Sequence, residues 1–285
     1  MDKKYFLIAG TFQVKGTSPD GDSVRFKANN AANWKRLDGP DVRLTKAGGA
    51  QLRFEGVDAL ETHYRAGKTV SQPKDLAYAA TDFVLDKIGI EDVVWTPTHK
   101  RISTVGVDGS PGYIYAKMTE RYRRPIAFVF AGNPPGRKKD GSIQEMDVAD
   151  LKKSINYQLM LQGLVYPTYY KTLHWELRDA LSAAAKASRR RSKGVWKDDA
   201  TGGVKLTKPE TITEELPILP KLFRRLMRMY ANTGTFSNMN EYLLTRRETV
   251  VQISHCHFSH FDQFCVQKGN VISMEAPVDD LVFTS

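Results

Sequence analysis

The sequence predicts an α+β fold, a small barrel capped by helices. Three observations predict it. Short strand-like segments fill the first 130 or so residues, helical periodicities interrupt them, and the most apolar helices come late instead of alternating regularly with strands as in a parallel βαβ sheet. At 285 residues the chain is long enough for one large domain, or one domain with an extension. Its 41% hydrophobic and 26% charged residues are ordinary for a soluble globular protein and exclude the disordered and membrane classes.

Taken in order, residues 5–15 and 22–28 read as two strands joined by the turn "SPDGD", since Asp-Gly favours hairpin turns. Residues 29–50, rich in Asn, Gly and charge, read as a loop or an expanded hairpin. "QLRFEGVDA" restores a strand with Leu52, Phe54 and Val57 on its apolar side. Residues 73–89 carry Leu76, Ala79, Ala80, Phe83, Val84 and Ile88 at helical spacing, with Pro73 before and Gly89 after. "EDVVWTP" reads as a strand, "DGSPG" as a turn between extended pieces, and "RPIAFVFAG" as a strongly apolar strand. Residues 149–164 and 173–196 read as helices. "KDDATGGVKLTKPET" has the composition of a linker, which puts a boundary near residue 200: a domain over 1–199 and an accessory extension over 200–285. In that extension "LPKLFRRLMRMYAN" predicts an amphipathic basic helix whose apolar side packs on a core.

Lys and Arg exceed Asp and Glu by 42 to 32, a formal charge of +10 that suits a polyanionic partner or simple solubility. No stretch reaches the apolar length of a membrane span. The opening residues read as a first strand, not a signal peptide, so a soluble, cytoplasmic protein is expected. Cys256 and Cys265 leave one bridge and two free thiols equally open. "SHCHFSHFDQFC" lacks the spacing of a zinc finger, and His255 and His257 read as one face of a strand. The run "KASRRRSK" reads as a solvated helix end whose cations suit the helix dipole, with a nucleic-acid contact as the sharper alternative.

Two acidic pairs stand out. Asp20 suits the turn, but Asp22 opens a strand, where aspartate is disfavoured. In "LRFEGVDALETHY", Arg53 lies within a strand, Asp58 stands at its end and Glu61 follows three residues later. A third motif, "ERYRRPIAFVF", sets Arg123 and Arg124 just before a buried strand. The order "DGDSVRF", "LRFEGVDALE", "RYRRPIAFVFA", "SINYQLMLQGLV" and "KGVW" resembles the staphylococcal nuclease family over roughly residues 5–197.

That resemblance implies a five-stranded oligonucleotide-binding (OB) barrel capped by helices, and a calcium-dependent nuclease acting on DNA or RNA to leave 3′-phosphate and 5′-hydroxyl ends. It implies that Asp22 and Asp58, with the backbone carbonyl of Ala59, hold Ca2+, and that Glu61 is the catalytic carboxylate. Arg53 and Arg124 become the phosphate arginines, Arg123 the competitor for the second place, and Tyr169 an aromatic bordering the nucleotide. Asn156, Leu159 and Gly163 match a helix of that family. Ala59 and Leu60 replace its usual Thr and Pro, and Arg123 its usual Gly. The chemistry suits these residue types: calcium takes hard oxygens, guanidinium forks match phosphate, and a carboxylate can orient or deprotonate water. The rival expectation is a catalytically silent nucleic-acid or protein-binding module of the same family. The extension over 200–285 is a candidate site for a protein partner.

Overall fold

The computed structural model describes residues 2–284, which form two compact units. The first comprises the chain through Glu55 together with Ala80–Leu159. The strand Lys4–Phe12 lies at its centre, paired antiparallel with Ser110–Thr119 and with Arg25–Ala28. Ser110–Thr119 pairs in turn with Pro125–Ala131. The ends of this sheet meet on one stretch of chain. Ala50–Gln51 pairs antiparallel with Arg25 and Phe26, while Arg53–Phe54 pairs parallel with Ile126 and Ala127. Leu52 joins the two pieces and donates its amide to the Val24 carbonyl at 2.9 Å. The result is a nearly closed, barrel-like sheet in which Leu7, Ile8, Phe12, Val24, Phe26, Leu52, Phe54, Ile114, Phe128 and Val129 are all buried, on one face or the other.

Strong curvature brings backbones close, and glycine permits it where Gly10 faces Gly112 across the central pair. A Cβ on Gly112 would fall 2.1 Å from the Phe12 ring.

Asn156 ties this sheet together from the adjoining helix Ile155–Gln162. Its Oδ1 accepts from the Val129 amide at 2.9 Å, and its Nδ2 donates to the carbonyls of Glu55 at 2.9 Å and Ala127 at 3.0 Å. The side chain thus fixes the chain just beyond the Arg53–Phe54 strand.

The second unit comprises Gly56–Ala79 with Met160–Ser285, so residues 200–285 share it with 160–199. Val57–Ala59 pairs antiparallel with Val165–Pro167. Tyr169–Tyr170 pairs parallel with Leu281–Phe283, which also takes Thr249–Gln252, itself in a hairpin with His257–His260. Val204–Lys205, Val271–Met274 and Cys265–Lys268 form a second small sheet. The helix Pro220–Thr233 begins with proline in its first turn and ends on Gly234 in the left-handed conformation, both favoured placements. It buries Leu222, Phe223, Leu226, Met227 and Met229.

Several local expectations change. The "QLRFEGVDA" strand is three pieces, because Gly56 takes a φ of 77° and turns the chain between Phe54 and Val57. The helix expected over 149–164 breaks at Ser154, whose extended backbone separates Val148–Lys153 from Ile155–Gln162. The 29–50 loop contains a 3-10 turn, Ala31–Arg36, capped by Asn30. His255 and Cys256 lie in the hairpin turn, not on a strand face, with Cys256 at a φ of 48°. Both thiols are free, Cys256 exposed and Cys265 buried. Among the described residues no helix is long and apolar enough to cross a membrane.

Asn156→Ala leaves the buried Val129 amide without its acceptor and removes both donations. It is expected to cost about 3 kcal/mol, read from the midpoint of urea unfolding.

Candidate active site

In the first unit, Asp20 closes its own turn: its amide donates to the Ser23 carbonyl at 3.2 Å and its carbonyl accepts from Ser23 at 3.1 Å. Asp22 follows inside that turn and is 6% exposed. Its carbonyl accepts from the Phe54 amide at 2.8 Å, and its carboxylate is ion-paired with the guanidinium of Arg53. The structure therefore brings two of the predicted site residues, Asp22 and Arg53, together, through the same backbone contacts that close the sheet.

The two candidate arginines after Glu120 part company. Arg123 stands at a φ of 67° and its Nε donates to the Asp41 carbonyl at 2.7 Å. Arg124 leads into the Pro125–Ala131 strand, and both its amide and its Nε donate to Glu120, at 3.2 and 3.0 Å. Exposed Tyr122 lies beside Arg121 and Arg124.

In the second unit the remaining acidic residues converge. Asp58 is in the middle of the Val57–Ala59 strand, opposite Tyr166, and is 0% exposed. Both its oxygens accept from Arg224, Oδ1 from Nη1 at 3.2 Å and Oδ2 from Nη2 at 2.9 Å. The same Nη1 donates to Glu61 Oε1 at 2.6 Å. Burial opposes the Arg224 charge, but the adjoining Asp58 and Glu61 carboxylates outweigh it and hold the guanidinium protonated well above its ordinary range.

Fully buried Gln72 fixes the backbone of Glu61. Its amide donates to the Glu61 carbonyl at 2.8 Å, its Oε1 accepts from the Glu61 amide at 3.3 Å, and its Nε2 donates to the Ile218 carbonyl at 2.8 Å. Ala59 is buried and faces Val165. Tyr169 is buried in the core at 0% exposure, its hydroxyl accepting from Ser182 at 3.0 Å, so it presents no face to a ligand in this arrangement.

Sequence reasoning missed Arg224 and Gln72. The basic helix itself was legible, but nothing local marks which of its arginines turns inward, and Arg224 is 166 residues from Asp58. The basic run at the end of the Trp175–Arg190 helix is partly tied down, since Lys186 and Arg189 both pair with buried Asp279, at 3.3 and 3.2 Å.

The oxygens of Asp58, the Ala59 carbonyl and Asp22 are the hard donors that calcium takes. In kind they fit the ion. In this arrangement a guanidinium accompanies each aspartate, Arg53 with Asp22 and Arg224 with Asp58.

Glu55, between the two halves of the motif in sequence, is 7% exposed. Burial pushes its carboxyl up from 4.5 to about 7, against the pull of Lys117 and Arg53. A carboxyl raised in the folded state stabilises fully below 4.5, and that contribution is lost as pH rises through about 7. Relative to wild type, Glu55→Gln is expected to gain about 2.5 kcal/mol between pH 5 and pH 8, measured by denaturant unfolding at each pH.

The chain matches no protein-family model, and a search of curated proteins finds no match.

Proposed function

We propose that this protein is a phosphodiesterase of the staphylococcal nuclease type, cutting DNA or RNA in a calcium-dependent reaction that leaves 3′-phosphate and 5′-hydroxyl ends. The observation that carries the reading is the convergence of Asp58 and Glu61. Three residues apart in sequence, they turn their carboxylates onto one guanidinium nitrogen, at 3.2 and 2.6 Å. Two carboxylates gathered at one cationic point suit a ligand for a divalent ion set beside a base for water. The nearly closed sheet is compatible with the five-stranded OB barrel of that family, with the Asp22–Arg53 pair on it.

In this reading Asp22, Asp58 and the Ala59 carbonyl hold calcium, which when bound polarises the phosphate. Glu61, held by Gln72, orients or deprotonates the attacking water. Arg53 and Arg124 offset the charge that grows on the phosphate oxygens, with fork geometry that lysine lacks.

One observation favours a second reading. Arg224 already neutralises Asp58 and Glu61, as a fixed structural bridge in a catalytically silent nucleic-acid or protein-binding module would.

Cleavage of labelled single-stranded DNA, duplex DNA and RNA separates the two. Calcium-dependent cutting that chelator abolishes, and that Glu61→Gln lowers about 100-fold or more, is expected of the nuclease. Folded protein that retains the strands yet leaves them whole in millimolar calcium, with Arg224→Gln equally inert, establishes the module. The aspartates of the turn divide the same way. Asp22→Asn is expected to raise the calcium requirement about tenfold or more, whereas Asp20→Asn shifts the melting temperature and leaves that requirement unchanged.

A further inference from the structure

Arg224 is anchored far more firmly than a surface cation. Leu222, Phe223, Leu226 and Met227 around it are buried, and the Phe223 ring meets Tyr64 edge-on at 6.3 Å. The Tyr64 hydroxyl donates to the Arg224 backbone carbonyl at 3.4 Å. The next residue, Arg225, pairs with Glu248 at 2.7 Å, and Glu248 also takes buried Lys221 at 2.6 Å. The helix is thereby fixed in rotation, and the polar side chain it turns towards Asp58 is Arg224. Its fork then covers both oxygens of a carboxylate that water does not reach.

A divalent ion on Asp58 needs at least one of those oxygens. It would also lie within a few ångströms of a guanidinium that stays protonated, where like charges in a poorly hydrated site repel strongly. Calcium and Arg224 therefore exclude one another at this carboxylate. Because one Nη1 serves both Asp58 and Glu61, withdrawal of the guanidinium would break its hydrogen bonds to both carboxylates together.

We propose that Arg224 is a built-in competitor for the divalent cation: the Pro220–Thr233 helix holds the acidic pair closed, and calcium binding at Asp58 displaces the guanidinium. The proposal rests on Asp58 being a calcium ligand, and it makes residues 200–285 a regulatory element of that site. The apparent calcium affinity of the wild type is then lowered by the small fraction of molecules in which Arg224 has withdrawn.

The test needs no nucleic acid. Full-length wild type, Arg224→Gln and Arg224→Lys are titrated with calcium chloride in a calorimeter, and melted in chelator and in calcium. Arg224→Gln is expected to bind calcium about tenfold or more tightly than wild type. It should melt lower in chelator, because a buried carboxylate has lost the guanidinium that meets both its oxygens, and calcium should recover more of its melting temperature than calcium adds to the wild type. Arg224→Lys, a point charge without the fork, should fall between. Adding Asp58→Asn to Arg224→Gln should erase the gain. Equal affinity and equal calcium-induced shifts in wild type and Arg224→Gln overturn the proposal, as does a gain that survives Asp58→Asn. Should Arg224→Gln not fold in either condition, Arg224→Lys binding no more tightly than wild type overturns it too. If the gain appears but no variant cuts nucleic acid, the competition stands and the nuclease reading falls.

Discussion

Asp58 places a carboxylate where water does not reach, and a buried carboxylate must be met by charge and hydrogen bonds or take up a proton. That requirement organises the second unit. The guanidinium that meets it comes from a helix whose own apolar side is buried, so the packing of Leu222, Phe223 and Leu226 and the neutralisation of Asp58 depend on each other. Gln72 adds the complementary constraint, pinning the backbone of Glu61 from both sides so that its carboxylate stays within reach of the same nitrogen.

The stretch from Ala50 to Ala59 does two kinds of work within ten residues. Its first half closes the barrel-like sheet, pairing antiparallel on one side and parallel on the other, and carries Arg53 to Asp22. Gly56 then takes a φ of 77° in the turn that ends the Arg53–Phe54 strand. A Cβ there would meet a Leu181 methyl at 2.6 Å, so a larger residue would suffer both an unfavourable conformation and a clash. The second half pairs with Val165–Pro167 and carries Asp58. A strand read from alternation alone has no reason to break at that point, which is why one expected strand became three.

Where the apolar period was long and its ends were marked, the sequence reading and the structure agree. The Lys74–Lys87 and Pro220–Thr233 helices and the Pro125–Ala131 strand fall where spacing and flanking Pro or Gly put them. Agreement fails where a single hydrogen bond decides. Ser154 turns its hydroxyl back to the Leu151 carbonyl at 2.6 Å and breaks a helix that periodicity would have run through. Asp22, Arg53, Asp58, Glu61 and Arg124 were legible as residue types, whereas Arg224, 166 residues from Asp58, was not; Asp22 and Arg53 form an ion pair. Tyr169 is buried, as an aromatic in a strand is as suited to a core as to a ligand.

The choice of arginine at position 224 has a physical logic that lysine would not satisfy. An ammonium could neutralise one carboxylate, but it presents no planar fork to two oxygens of Asp58 while reaching Glu61 with a shared nitrogen. A guanidinium is also the more weakly hydrated cation, so less is lost in drawing it from water into this partly buried place. Arg224 thus serves both carboxylates, through one shared nitrogen and one that meets Asp58 alone. The cation that meets Asp58 and Glu61 therefore comes from the C-terminal segment, whose helix packing and charge pairing are joined at this point.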